Sequence, residues 1–475
     1  MAKLSNRLRN YFLKITNQTR MWALDHPQII TILVSLALII IGSVVFYIRY
    51  PSAYNYSNFY AEDGKDFMYN LIEKGVIAGT LTAFNGYLVV GQYFVGIMAQ
   101  TINHFFGNGF ESLARSVAVA SYIFWALICS LPWLLFRKRL GSILAVILVI
   151  MLWLTPFGSY DYAVIGTIGN LKFSFLFIAT LLVIYRNDRS LCNKTWQFIL
   201  VDIALLVCVL TNIVVLALLP LLLIPYVKKI RETRLGRSFL SKVIKMRGMI
   251  GLVVLAIISF IYLLTVYAHE VPVLVGYLDG PLDKSALIAI AYRASFYVLF
   301  FPVHYLITNA FGAVALVSLI VILLVASLKL IKKNIGVVGI LVYAMIINIA
   351  GFVANRPGVT EYFNTYDARN WPGLFFYPGT MLLLFGIVYL ISKIFNTYNL
   401  RSKLTVLGLL ICSVFIILPA TGFNFADRYG VSRFRPVLSD EVSRVCAIDN
   451  TSNVTIGLYP SGEWTVSLPR SEVCN

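Results

Sequence analysis

The chain has 475 residues, of which 59% are hydrophobic and only 13% charged, and its formal net charge is +18. With 32 Phe, 28 Tyr and 7 Trp and a mean hydropathy of +0.81, its apolar area exceeds what a soluble surface hides, which excludes a water-soluble globule. Helices that cross a bilayer many times satisfy such a composition, because each keeps its backbone hydrogen bonds internal.

Residues 1–28 are basic and polar and are expected in the cytoplasm. The apolar run 29–48 follows without a small-residue cleavage site and reads as an uncleaved signal anchor. About eleven runs have the length of a bilayer crossing. They lie at 29–48, 116–136, 140–157, 171–185, 197–211, 213–227, 248–268, 310–328, 335–354, 373–391 and 404–421, and together they make the membrane domain 29–421. The pair 197–211 and 213–227 also reads as one helix broken near Asn212. The stretch NGYLVVGQYFVGIMAQTINHFFG, 85–107, is apolar enough to be a twelfth, but counting it as a span would send every later basic loop outside. It is therefore expected to lie in the interface.

With that choice the basic segments 1–27, 137–139, 186–196, 228–247, 329–334 and 392–403 all fall on one side, and they carry most of the 39 Lys and Arg. The positive-inside rule makes that side the cytoplasm, so the N-terminus is inside and the C-terminus outside. Most of the 21 Asp and Glu fall in outer segments. The net charge is thus an orientation signal, helped by attraction to anionic lipid, and nucleic acid is not implied.

The long outer loop, 49–115, holds YNYSNFYAEDGKDFMYN with Glu62, Asp63 and Asp66 close together. Crowded carboxylates raise one another's proton affinity, which suits a general base. In DFMYNLIEKGVIAGTL the apolar Phe67, Leu71, Ile72 and Val76 recur at helical spacing, the pattern of an interfacial helix. Four cysteines, Cys129, Cys192, Cys208 and Cys412, are scattered in or near spans and read as small buried hydrophobes. Cys446 and Cys474 lie in the tail 422–475, and an even pair in an oxidising compartment is a disulfide candidate. The tail is too short to bury a large core alone, and its Pro, Trp and Tyr suggest packing on the membrane domain. Its segment LYPSGEWTVSLP carries aromatics that suit either an interfacial belt or a stacking platform at the edge of a groove. Asp202, inside a span, is expected to pair with Lys194 or to snorkel.

The ED pair in the first outer loop, the interfacial helices after it, the NGYLVVGQ stretch and the span count resemble the GT-C glycosyltransferases, which use sugars linked to polyprenyl phosphate. Nearest in pattern are the phage-type serotype-converting O-antigen glucosyltransferases. The resemblance implies an all-α polytopic fold and an inverting transfer of a sugar, glucose being the commonest donor sugar among such enzymes, to O-antigen or another cell-surface polysaccharide at the periplasmic face of the bacterial inner membrane. It also implies Asp63 as the base, with Glu62 the near alternative and Asp66 third.

A phosphate leaving group needs cations more than an acid. Arg369, in EYFNTYDARNWPGLFFYPG with Tyr366 beside it, matches the arginine with which that family grips lipid phosphate. Lys172 in GNLKFSF and Arg293 come next, and Asp161 is a candidate for binding acceptor hydroxyls. No cluster has metal-ligand spacing, so neither a metal nor another cofactor is expected. The expected partners are the lipid-linked donor, a polysaccharide or lipid-linked glycan acceptor, membrane lipid, and a flippase and donor synthase. An O-antigen polymerase or ligase would place its large loop late and make it Arg-rich. A transporter would show charged or broken midplane helices and repeated halves.

Overall fold

The computed structural model describes residues 27–55, 57–84, 88–155, 164–227, 248–267, 334–354, 377–397, 437–448, 451–459 and 464–474. Of the expected spans, 310–328 and 404–421 lie outside these residues. Among the described residues the fold is mostly helical. Three helices are long and apolar enough to cross a membrane, Gln28–Arg49, Phe110–Leu140 and Gly169–Asn187, and shorter apolar helices pack with them. The protein is embedded in a membrane.

Helix α1, Pro27–Arg49, starts with proline at its first position, where the missing N–H costs no intrahelical bond. The next long helices are α2 (Val90–Phe105), α3 (Leu113–Leu140) and α4 (Ser142–Trp153). Then come α5 (Ser174–Asn187), α6 (Thr195–Val209), α7 (Met249–Tyr262), α8 (Ile335–Ala354) and α9 (Tyr377–Thr397). α1 packs along α3, tied at both ends: Trp133 Nε1 donates to Ser35 Oγ at 3.2 Å, and Tyr122 OH to the Tyr50 carbonyl at 2.8 Å. The second bond sets a level. The nine residues Leu113–Ser121 of α3 rise past the end of α1 by about 13 Å at 1.5 Å per residue. Arg49, buried, donates to the Trp153 carbonyl at 2.7 Å, so α4 ends at the same level.

Within the stretch expected to lie in the interface, 85–107, Val90–Phe105 form α2, which doubles back along the rising part of α3. Ser116 Oγ donates to Asn103 Oδ1 at 3.0 Å near the hairpin. Small residues explain the packing: a Cβ at Gly91 would sit 2.1 Å from Phe175 Cζ, and one at Gly96 2.8 Å from Leu71 Cδ1. The expected amphipathic helix after the acids is broken into Tyr69–Glu73 and Gly75–Thr80, because Gly75 takes a left-handed φ of +75°.

At Leu210–Asn212 the chain reverses, so 197–211 and 213–227 are two antiparallel elements rather than one broken helix. Asn212 Oδ1 accepts from the Val214 N–H at 3.1 Å and caps the 3-10 helix Ile213–Leu223. That helix returns to the far end of α5, where Asn187 Nδ2 donates to the Leu221 carbonyl at 3.0 Å. The far end carries the basic residues. Arg139 forks onto Asp188 with both bonds at 2.8 Å. Asp202 neither pairs with Lys194 nor snorkels: Arg186 Nε donates to its Oδ1 at 2.6 Å, both side chains being buried. The tertiary partner was one helix away, which spacing within a span does not reveal.

The C-terminal tail departs from an all-α fold. It contains α10 (Leu438–Ile448) and an antiparallel pair, β1 (Asn453–Gly457) and β2 (Thr465–Pro469), with Val454 facing Leu468 and Ile456 facing Val466. Those four apolar residues alternate with exposed polar ones and point to one buried face, the period of a half-buried strand.

Candidate active site

The acids lie where α1 and α4 end and α5 begins. Between α4 and α5, Val164, Ile165, Ile168 and Leu171 are fully buried, so the backbone of this loop is cut off from water and needs partners. Side chains from three elements supply them. Trp125 Nε1 and Ser121 Oγ, both on α3, donate to the Val164 and Thr167 carbonyls at 3.1 and 2.9 Å, and Gln92 Nε2 of α2 donates to the Gly169 carbonyl at 2.8 Å.

Asp63 completes the set. Its Oδ2 accepts from the Ile168 N–H at 2.9 Å and its Oδ1 from the Gly169 N–H at 2.7 Å, and the residue is 1% exposed. These are the first amides of the 3-10 helix Gly169–Phe173, which runs straight into α5. Asp63 therefore acts as an N-cap supplied from a distant segment, its negative charge set against the positive end of the helix.

Glu62 and Asp66 are differently placed. Both are part-exposed, and Asp66 belongs to a π-helix, Asp63–Met68, a rare geometry that is frequent at functional sites. Burial, and then the Glu62 carboxylate, push the Asp66 carboxyl above the usual carboxylate range, while the Lys65 ammonium pulls it back. Glu62 also lies beside Gly169, its Oε2 3.7 Å from where a Cβ would stand. Behind them, Phe67 packs between Phe84 and Tyr93 at 5.3 and 5.4 Å, and the Tyr93 hydroxyl accepts from Asn70 Nδ2 at 3.0 Å.

Lys172, in the same 3-10 helix as Gly169, sets its ammonium 5.2 Å over the Phe84 ring and 5.4 Å over Phe173. Its carbonyl accepts from Asn212 Nδ2 at 3.1 Å. A cation and three carboxylates thus share this end of the bundle. Asp161, Arg293, Tyr366 and Arg369 lie outside the described residues. α9, which begins eight residues after Arg369, is described: the Tyr377 hydroxyl donates to the Asn170 carbonyl at 3.2 Å, between Gly169 and Lys172.

The tail covers the acid motif. The Tyr459 N–H donates to the Phe59 carbonyl at 2.9 Å, the Ala61 N–H to the Tyr459 carbonyl, and the Leu438 N–H to the Ser57 carbonyl at 2.8 Å. Cys446 and Cys474 are disulfide-bonded with Cα atoms 5.7 Å apart. Sequence reasoning had no means to find Gln92, Ser121, Trp125 and Tyr459 as supports of the acids. Gln92 and Tyr459 stood in stretches singled out above, NGYLVVGQ and LYPSGEWTVSLP, but nothing within either stretch points to the acids. Among the described residues, no three of His, Cys, Asp and Glu are grouped to hold a metal ion. No protein family's profile matches the chain, and neither a curated protein nor a solved structure is significantly similar to it.

Proposed function

We propose that the protein is an inverting glycosyltransferase that moves a sugar, glucose as first candidate, from polyprenyl phosphate to O-antigen or another cell-surface polysaccharide at the periplasmic face of the inner membrane. About eleven spans, with the N-terminus inside and the tail outside, belong to the same proposal. The observation that carries it is Asp66: a part-exposed carboxyl, its proton affinity raised by burial and by Glu62, at the end of the bundle opposite the basic clusters. A tail closed by a disulfide suits an oxidising compartment, which supports putting that end outside.

We assign the base to Asp66, with Glu62 tuning it, and give Asp63 the supporting task, since both Asp63 oxygens already accept backbone N–H bonds. As the acceptor hydroxyl oxygen attacks the anomeric carbon, its proton passes to the Asp66 carboxylate. The bond from that carbon to the phosphate oxygen breaks on the opposite face, its electron pair leaving with polyprenyl phosphate. The configuration inverts. Lys172 and Arg369 are the cations assigned to the phosphate. A sugar already activated on phosphate needs no cofactor in this scheme.

The test is transfer of labelled sugar from synthetic polyprenyl-phosphate-glucose, and then from a panel of other polyprenyl-phosphate sugars, to lipopolysaccharide in proteoliposomes. Transfer that is lost in Asp66→Asn at matched, folded expression supports the assignment. Inactivity of the unaltered protein with every donor and acceptor overturns it.

A further inference from the structure

We propose that the described parts of the C-terminal tail, 437–448, 451–459 and 464–474, are a working part of the acid site: paired with Phe59–Ala61, they set the spacing of Glu62 and Asp66, and the Cys446–Cys474 disulfide keeps them there. The proposal rests on the reading of Glu62 and Asp66 as the reactive pair, and not on which sugar is moved.

The pairing stands directly before the acids. Tyr60 and Tyr459 form a parallel bridge, flanked by the two Tyr459 backbone bonds to Phe59 and Ala61, and Asn58 Nδ2 donates to the Gly457 carbonyl at 3.1 Å. Ala61 then takes a φ of +31°, a conformation that a residue with a Cβ keeps only where its surroundings hold it. The surroundings here are the Tyr459 carbonyl on its N–H and the turn in which the Asp63 N–H donates to the Tyr60 carbonyl at 2.6 Å. Glu62 is the next residue, and the π-helix begins one later. The direction in which Glu62 and Asp66 leave the chain is therefore set by a backbone angle that the tail holds.

Two side-chain contacts reinforce it. A Cβ at Gly64 would meet Phe59 Cβ at 2.8 Å and Leu458 Cδ1 at 3.0 Å, so the π-helix is pressed against the tail. The Lys65 ammonium, which lowers the proton affinity of Asp66, lies 5.4 Å over the Trp464 ring. The tail's own order depends on its staple. A lone two-stranded pair is marginal in water. Here the disulfide ties the last turn of α10 to Cys474, while Arg470 donates from its side chain to the Cys446 carbonyl at 2.6 Å and from its backbone to the Ser452 carbonyl at 2.9 Å.

The experiment is carbodiimide coupling of an amine to the intact protein in lipid nanodiscs between roughly pH 4 and 8, with Asp66 modification read by peptide mass spectrometry. A protonated carboxyl gives its proton to a carbodiimide nitrogen and adds through oxygen to the central carbon, and the amine then displaces the resulting urea, so labelling midpoints report proton affinity without any need for activity. The charges that act on the Asp66 carboxyl are Glu62 and Lys65 on its own segment, and the Tyr93 hydroxyl of α2 feels it; the helix that follows holds Tyr69 and Glu73, and β2 has no ionisable residue. Two variants loosen the tail differently: the Cys446→Ser, Cys474→Ser pair, and Gly64→Ala, which leaves the disulfide intact.

In both, the Asp66 midpoint is expected to fall towards that of a solvated carboxyl, with amide exchange at Ala61 at least about tenfold faster. Midpoints equal to the unaltered protein's in both variants would overturn the proposal. A midpoint that shifts in a protein that transfers no sugar would leave the tail's role standing and remove the glycosyltransferase reading instead.

Discussion

The Asp63 carboxylate and the Gly169 backbone N–H are 2.7 Å apart, although 106 residues separate them in the chain. With the Ile168 N–H on the other oxygen, each carboxylate oxygen accepts from a buried loop. Asparagine at this position keeps one acceptor and turns an NH₂ towards the second amide. Asp63→Asn is expected to lower stability by about 1–3 kcal/mol, the cost of a buried unpaired donor. The check is the unfolding temperature in detergent, read before any transfer assay. A variant that unfolds at the unaltered temperature would show that the loop does not depend on Asp63.

Asp66 differs, and its sign can be worked out. Its carboxyl binds a proton more tightly in the folded protein than in the unfolded chain. The stability it contributes is present below the ordinary carboxylate pKa and is lost as pH rises through the raised value. Asp66→Asn is therefore expected to raise stability at neutral pH while it abolishes transfer. Removing the neighbouring charge acts the other way on activity. In Glu62→Gln the proton affinity of Asp66 falls, so the acidic limb of the pH–rate profile should move to lower pH. A limb that stays in place would mean that another group supplies the base.

Hydropathy alone marks α1, α3 and α5, because the lipid-facing and buried faces of a span are both apolar and length then decides. The same uniformity hides how spans pair, as Asp202 shows: nothing within α6 indicates that Arg186 of α5 is its partner. The acid motif was visible as a local crowd of charge. Which acid does what was not, because the difference between Asp63 and Asp66 is made by amides and aromatic rings from other segments. The tail's pairing with Phe59–Ala61 is further from view still, since it joins residues from opposite ends of the chain and needs no side-chain pattern at either. Its strands were missed because each is only five residues long.

At the far end, Arg186 and Asp202 form a buried ion pair that gathers four segments. Arg186 also donates to the Gly248 carbonyl at 2.7 Å and to the Tyr226 hydroxyl at 3.3 Å. Truncating one partner strands the other charge. Asp202→Ala is expected to cost about 3–5 kcal/mol, and replacing both Arg186 and Asp202 by leucine to recover much of that. Unfolding temperatures of the two variants in the same detergent decide the matter. Equal losses in both would show that the hydrogen bonds to Gly248 and Tyr226, rather than the charge pair, hold this end.

Lys172 separates binding from folding. Its ammonium rests on two aromatic faces at a part-exposed position, an interaction worth about 0.5–1 kcal/mol, so Lys172→Ala should barely change the unfolding temperature. Its charge, one turn from Gly169 and the acids, is assigned to the donor phosphate. Loss of such a charge-assisted contact, about 1.5–3 kcal/mol, corresponds to a KM for the lipid-linked donor roughly 10- to 100-fold higher. Lys172→Arg should restore most of the affinity, since guanidinium also stacks on aromatic faces and binds phosphate. A KM that is unchanged in Lys172→Ala would assign the phosphate to Arg369 alone, and the arginine variant would then be silent as well.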